Sequence, residues 1–355
     1  MRLGTSCLAG IAGLLLAAQA QAQESRLGIS APLSGPSAIL GAQVLEGAST
    51  AANAAELEVA DDACTAEGGA GAARQFVEAK VRVVLGFLCT EAIEAALPIL
   101  KLAGIPVITV GVRTDSLTDS REKTGWPVFR LGPRAGDENA AAAAIIPKLW
   151  RDELFAITDD GTIYGRELAE SVRAAAEQAA LKPVFTDNFR PQMDNQVGLI
   201  GRLRRAGATH VFVGGDRDDI AIMTRDAAVT GGGMIFAGGE ALRAAPGEVP
   251  LAEGTLMIGL PEWSEIAGKD ALAALRERQT APDGYVLPAF AAVEIARAAL
   301  EDADAAGKPL LDILAEQEFK TAIGPIRFDA KGDLADNPYR AFRYDGERFV
   351  PMESY

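Results

Sequence analysis

Residues 83–113 read VVLGFLCTEAIEAALPILKLAGIPVITVGVR, and the reading of this stretch decides the fold. An apolar, β-rich run over 81–86 leads in and breaks at Phe87-Leu88-Cys89-Thr90. Over 91–102 the apolar residues Ile93, Ala96, Leu97 and Leu100 recur at helical spacing, until Gly104-Ile105-Pro106 stops the helix. A second apolar run, 107–110, follows. Strand, helix and strand in that order make a β–α–β unit, because parallel strands need a crossover between them. In such sheets ligands sit beyond the carboxyl ends of the strands. Here those ends are Cys89-Thr90 and Gly111-Val112-Arg113, where a helix N-terminus can turn free N–H groups toward an anion. The stretch therefore predicts half of a small-molecule cleft.

Working outward, Leu27 begins a first strand that ends in the Gly- and Pro-marked loop 32–37. A helix over 41–55, a brief strand over 57–60 and a helix over 67–79 lead into the central unit. After Arg113, residues 114–126 are polar and without a clear period, and read as loop with a short helical turn. From Phe129 the rhythm resumes. Helices over 137–150, 163–180, 196–206 and 218–229 alternate with strands over 154–158, 184–189, 210–213, 234–237 and 255–259. Helices over 269–278, 285–306 and 310–318 come next, then β pieces over 326–328 and 341–344 around a turn at 329–333. The second series repeats the architecture of the first, not its sequence. Two successive doubly wound units predict an α/β protein with two Rossmann-like lobes and a cleft between them.

At 355 residues the chain is long enough for two cores, and its composition is that of a globular α/β protein. A net charge of −15 argues against nucleic acid or an anionic membrane surface as partner. The first residues, MRLGTSCLAGIAGLLLAAQAQAQES, carry one Arg, an apolar core and Ala-x-Ala sites, the pattern of a secretory signal peptide over 1–22 cleaved after Ala22. Its core is too short to span a membrane. Cys7 precedes that core, so it is no lipid-attachment cysteine, and the mature protein is expected to be soluble and exported. Export leaves Cys64 and Cys89, which in an oxidising compartment are either one disulfide or two buried thiols.

The chemistry available is narrow. A single histidine, His210, opens an apolar strand, so a His-rich metal site is impossible and Ser–His catalysis would rest on that residue alone. Neither a G-x-S-x-G elbow nor a G-x-x-x-x-G-K-[ST] phosphate loop occurs, and no G-x-G-x-x-G follows the first strand. No catalytic residue, metal or cofactor is expected, and binding is favoured over catalysis.

The segments PLSGPSAILG (32–41), DDAC (61–64), VVLGFLCT (83–90), TDDGTIYGRELAESV (158–172), VFVGG (211–215), FAGGEAL (236–242) and GPIRFDAKGDL (324–334) occur in an order that resembles the periplasmic leucine/isoleucine/valine-binding proteins. These are substrate-binding proteins of ABC importers for amino acids and amides, and the resemblance spans nearly all of the mature chain. It implies a Cys64–Cys89 disulfide and three crossovers between the lobes. The lobes would be 23–132 with 262–336, and 133–261 with 337–355. It also implies an amino-acid ligand, ABC permease subunits as partners, a monomer, and a periplasmic location.

Carried over position by position, the resemblance places Thr90 on the ligand's α-carboxylate, aided by Gly111 and by Arg113, where the family usually has Thr. Tyr164 corresponds to the tyrosine of a Tyr-Gly motif, and Glu240 to the acid that receives the α-ammonium. Two pocket tyrosines are replaced, by Leu40 and by Asp216, and Tyr285 matches a pocket aromatic. Arg113 and Asp216 are expected to pair across the cleft or to address a polar ligand, since buried charges need partners. Each position also has a bland alternative: Thr90 as a helix cap, Tyr164 as packing, Glu240, Arg113 and Asp216 as solvated loop charges. Trp263 is expected to pack at a hinge. The competing functions are a ligand sensor without transport, an exported hydrolase using Cys89 or a serine, and a receptor for an amine-free carboxylic acid.

Overall fold

The computed structural model describes residues 27–231 and 233–352. The signal peptide and cleavage point expected from the sequence fall outside the described residues. The first half of the chain alternates β1 (Leu27–Ala31), α1 (Ala38–Ala51), β2 (Leu57–Asp61), α2 (Ala66–Glu78), β3 (Val83–Gly86), α3 (Thr90–Leu102) and β4 (Val107–Thr109). Two short turns of helix, α4 (Ser116–Asp119) and α5 (Arg121–Thr124), lead to β5 (Val128–Arg130). The five strands are all parallel, in the order β2-β1-β3-β4-β5. Strand β1 and strand β3 are buried along their whole length, as expected of parallel strands covered on both faces.

The chain then leaves this sheet. It runs through α6 (Asp137–Leu149), β6 (Phe155–Asp159), α7 (Ile163–Gln178), β7 (Phe185–Asn188), α8 (Val197–Arg205), β8 (His210–Gly214), α9 (Arg217–Val229), β9 (Ile235–Gly238) and β10 (Leu256–Gly259). These strands pair in the order β7-β6-β8-β9-β10, the same winding as the first sheet. The architectural repeat read from the sequence is thus a repeat of strand order, with a switch point between β1 and β3 in one lobe and between β6 and β8 in the other.

After β10 the chain returns to the first lobe. It forms α10 (Trp263–Ile266), α11 (Lys269–Glu277), α12 (Val286–Ala306), α13 (Leu310–Glu316) and the hairpin β11 (Glu318–Thr321) and β12 (Gly324–Arg327). A last crossing adds β13 (Arg340–Tyr344) antiparallel to β10, and β14 (Phe349–Pro351) antiparallel to β13. Helix α12 is buried nearly all round and packs against α1 and the first sheet. A Cβ on Gly47 would lie 2.0 Å from the Val286 carbonyl oxygen, so only glycine lets these helices approach.

Three strands were not anticipated from the sequence: β5, β11 and β14. Each has three or four residues, too few to show an alternation. Their strand state comes from neighbours instead: β5 from β4, β11 from β12 and β14 from β13. Helix α1 begins three residues earlier than its apolar period suggests.

Two covalent or ionic ties fix the first lobe. Cys64 and Cys89 form a disulfide with Cα atoms 5.2 Å apart, joining the loop before α2 to the N-cap of α3. Cys89 is therefore not a free thiol, and the cysteine-nucleophile alternative falls. The second tie is an ion pair between Arg130 Nε and Asp333 Oδ1 at 2.8 Å, with both side chains almost wholly buried. Asp333 Oδ2 also accepts from Thr118 Oγ1 at 2.9 Å and from Arg134 Nη1 at 2.8 Å.

Removing one member of such a buried pair strands its partner's charge. Asp333→Ala is expected to lower unfolding stability by about 3–5 kcal/mol in urea titration, and a loss under about 1 kcal/mol would contradict the assignment. Replacing both Cys64 and Cys89 by Ala should cost roughly 3 kcal/mol through loop entropy. An unchanged denaturation midpoint would show that the bridge adds nothing.

Candidate functional site

The carboxyl ends of β4 and β5 in one sheet and of β9 and β10 in the other face a cavity of about 340 Å³ between the lobes. The first lobe contributes Val110, Arg113, Leu131 and Tyr285, and the second contributes Glu240, Arg243 and Leu260. Trp263, at the start of α10, lines the same cavity while packing partly buried against the first core. It therefore belongs to the wall as well as to the crossover.

The first-lobe wall is built from loops beyond β3 and β4. Gly86, at φ +108, turns the chain out of β3, where a Cβ would lie 2.1 Å from the Ser30 carbonyl oxygen. Thr109 Oγ1 donates to the Phe87 carbonyl at 3.0 Å, joining the two loops. A Cβ on Gly111 would come within 2.4 Å of Leu88 and 3.1 Å of the Tyr285 ring, so the bare backbone there is a packing requirement. Arg130 reaches under the next loop and donates to the carbonyls of Val112, at 2.9 Å, and Thr114, at 3.0 Å. Those carbonyls flank Arg113, so the buried guanidinium holds the backbone that presents Arg113.

Thr90 is the first residue of α3, with Cys89 in the cap position. Its hydroxyl lies 2.7 Å from the Thr114 hydroxyl. It is half-buried and is not among the residues lining the cavity.

The second-lobe wall carries a chain of polar groups. Glu138, in the first turn of α6, accepts from the Tyr164 hydroxyl at 2.8 Å and from the Glu240 backbone N–H at 2.7 Å, both at Oε1. Gly239 passes so close that a Cβ would sit 2.2 Å from Glu138 Oε1 and 2.4 Å from Tyr164 Oη. Glu240 Oε2 accepts from the Tyr339 hydroxyl at 3.0 Å. Tyr339 Oη in turn accepts from Arg113 Nη1, across the interlobe boundary, at 3.4 Å. Burial, then the neighbouring Glu240 charge, pushes Glu138 above the usual carboxylate range against the pull of its hydrogen bonds. Tyr164 and Tyr339 are raised as well, first by burial and then by the carboxylates beside them. At neutral pH both phenols are donors, not anions.

Of the residues expected from the sequence, the structure brings Arg113, Glu240 and Tyr285 to one cavity. Gly111 packs against that Tyr285 ring, and Tyr164 is tied to Glu240 through Glu138. Leu40 lies exposed in the first turn of α1 and does not line the cavity. Asp216 caps α9 and faces a separate cavity of about 490 Å³ with Asp194, Asp218 and Arg225. Arg113 and Asp216 therefore lie on different cavities, and the first of their two alternatives, a pairing across the cleft, is not formed in this structure among the described residues. An acid at an exposed helix N-terminus is stabilised by the helix dipole and needs no such partner.

Glu138 and Tyr339 escaped the sequence reading. Glu138 looks like an ordinary first-turn acid of a helix, and Tyr339 stands in no motif; only the fold brings them to Glu240. His210 has its Nδ1 2.9 Å from Thr209 Oγ1 and 3.5 Å from a Glu153 carboxylate oxygen. Its ring packs 5.2 Å from that of Trp150, a structural setting. Among the described residues no cluster of three or more His, Cys, Asp or Glu could hold a metal ion. No described helix is long and apolar enough to cross a membrane.

The periplasmic binding protein family matches residues 24–348. A curated relative, the Leu/Ile/Val-binding protein homolog 3 of Brucella melitensis, is 29% identical, with 92% of this chain and 93% of that protein covered. Among solved structures, an ABC transporter substrate-binding protein from Desulfitobacterium hafniense in complex with Leu superposes with a TM-score of 0.64 at 21% identity, covering 92% of this chain and 99% of that one. A solute-binding protein of an ABC transporter from R. palustris, in complex with 4-hydroxybenzoate, gives 0.62 at 14% identity, over 93% and 96% of the two chains. At such identities the solved structures speak to the fold alone.

A carboxyl whose pKa is raised by folding binds its proton more tightly in the native state. Stability is then lost as pH rises from the unfolded value through the folded one. Glu138→Gln keeps an acceptor for Tyr164 and Glu240 but cannot ionise. Its melting temperature, compared with wild type, should improve steadily as pH is taken from below 4.5 to 8. A difference that stays flat over that range would contradict the burial argument.

Proposed function

We propose a function from one premise: the chain belongs to the periplasmic binding protein family. On that premise it is the extracytoplasmic receptor of an ABC importer. It captures an amino acid, branched-chain or a related polar one, between its lobes and hands it to membrane permease subunits. The observation that carries the reading is Glu240, a carboxylate at the carboxyl end of β9 that opens onto the interlobe cavity. An acid there can receive an ammonium, while N–H and hydroxyl groups beyond β3 and β4 can receive a carboxylate. Relatives named for binding leucine, isoleucine and valine support the choice of ligand.

The remaining assignments follow from the same reading. Residues 23–132 with 262–336 form one lobe, and 133–261 with 337–355 the other. A ligand touching both lobes supplies the differential contacts that favour a closed hinge. Thr90, Gly111 and Arg113 serve the acid end, Tyr164 supports the acid that receives the amine, and Tyr285 walls the side chain. Leu40 and Asp216, which do not line this cavity, are given no part in holding the ligand. The protein acts as a periplasmic monomer without a cofactor and catalyses no reaction. Trp263 and Tyr285 on the cavity wall favour one second reading, an amine-free aromatic acid as ligand.

A thermal-shift screen of amino acids and of amine-free acids separates the two, because a ligand selective for the native state raises the melting point by mass action. The amino-acid reading expects leucine or a close relative to raise it, and expects Glu240→Ala to abolish the shift. A Glu240→Ala variant with unchanged affinity in calorimetry would overturn the role given to that acid.

A further inference from the structure

The four-residue helical turn Glu240–Arg243 touches the second-lobe end of every crossing. The first crossing runs into α6, whose Glu138 accepts from the Glu240 backbone N–H at 2.7 Å. The last runs into β13 past Tyr339, whose hydroxyl donates to Glu240 Oε2 at 3.0 Å. The middle crossing leaves β10 through Leu260, Pro261 and Glu262 and reaches Trp263, which packs on the core of the first lobe. Here the tie is Arg243. Its guanidinium donates to the Leu260 carbonyl and is ion-paired with Glu262. It also lies 5.5 Å from the centre of the Phe342 ring on β13.

One planar group thus holds the chain on both sides of a proline, a task suited to the several fixed donors of a guanidinium. Proline fixes its own φ and confines the residue before it to extended backbone. With Leu260 and Glu262 also held, little freedom is left before Trp263. Support of the fold does not explain this arrangement. The Arg243 and Glu262 side chains are 26% and 50% exposed, and an ion pair so open to water adds little to folding.

We propose that Arg243 is a positioning residue that couples the ligand turn to the hinge. Through Leu260 and Glu262 it makes the middle crossing move as one piece with the turn that carries Glu240. The inference rests on the amino-acid reading and deepens it, since it names the route by which occupation of Glu240 reaches the first lobe. A ligand shifts a conformational equilibrium only by the contacts that differ between its states. Without Arg243, the Glu240 carboxylate and the middle crossing share one long hydrogen bond, from Leu260 N–H to Glu240 Oε1 at 3.4 Å. Occupation of the turn then favours the closed hinge less, and the ligand leaves sooner. The loss falls on dissociation and is the same for every side chain. Arg243 also lines the cavity, so a direct contact with the ligand is the alternative that the test separates.

The test is calorimetry and stopped-flow binding of leucine, isoleucine and valine, with the melting point of the empty protein as control. Arg243→Met keeps an apolar stem over Phe342 and removes the guanidinium. It should melt within about 4 °C of wild type. It should weaken all three ligands by one common factor of about fivefold or more, through faster dissociation. Arg243→Lys, which keeps a charge for Glu262, should recover part of the loss. Glu262→Ala should show part of the same loss, and the double variant with Arg243→Met should lose no more than Arg243→Met alone, because the two residues act through one link. A larger fall in melting point would make the role structural, and a loss that varies with the ligand's side chain would make Arg243 a ligand contact; each overturns the coupling. So does a double variant whose losses multiply. Should Arg243→Met lose less than that factor while Glu240→Ala loses leucine, the coupling is wrong and the receptor reading stands. Should wild type bind no amino acid, both fall.

Discussion

Asp333 accepts hydrogen bonds from two arginines and a threonine in a nearly dry setting, and much of the site depends on that arrangement. One of the arginines, Arg130, uses its remaining donors on the carbonyls of Val112 and Thr114, and so fixes the loop that presents Arg113. The other, Arg134, lies just past β5, where the chain first leaves the first sheet. Asp333 itself stands six residues before Tyr339, on the segment that makes the last crossing. One buried carboxylate thus joins two of the three crossings and a wall of the cleft. A buried ion pair is often a poor source of net stability against an apolar substitute. Here its use is positional: its side chain ties together the end of β5, the loop after β4 and the segment of the last crossing.

The second-lobe wall follows a different logic. Glu138 and Glu240 are brought together by a backbone hydrogen bond, and their charges oppose each other in a partly buried place. Two phenols donate into this pair without becoming charged themselves. The arrangement is satisfied in hydrogen bonds and yet short of positive charge. On the proposed reading an incoming ammonium would relieve that shortage, and Arg113, on the same cavity, would set the direction in which the ligand's own carboxylate points.

The fold was legible in the sequence wherever an element was long enough to show a period. The β–α–β unit around Val83, the helices of the second lobe and the doubling of the architecture all follow from apolar spacing. Strand β5 did not, because three residues carry no alternation; its pairing with β4 exists only in three dimensions. Of the site, Arg113 could be located because it follows a strand whose carboxyl end the winding directs toward the cleft, whereas Glu240 and Tyr285 were legible only through the family resemblance. Asp216, named by the same resemblance, lies elsewhere, since the end of β8 opens on a different cavity. Glu138 and Tyr339 lie 102 and 99 residues from Glu240 in the chain, a separation across which sequence pattern carries no signal.

The central claim is that one small ligand is held by both lobes at once, its amine on the second and its acid on the first. The most direct measurement is a crystal structure of the complex with the amino acid that raises the melting point most. The account predicts that ligand in the cavity lined by Trp263 and Tyr285, its nitrogen on Glu240 and its carboxylate on Arg113. A ligand seated beside Asp216, or touching one lobe only, would contradict it.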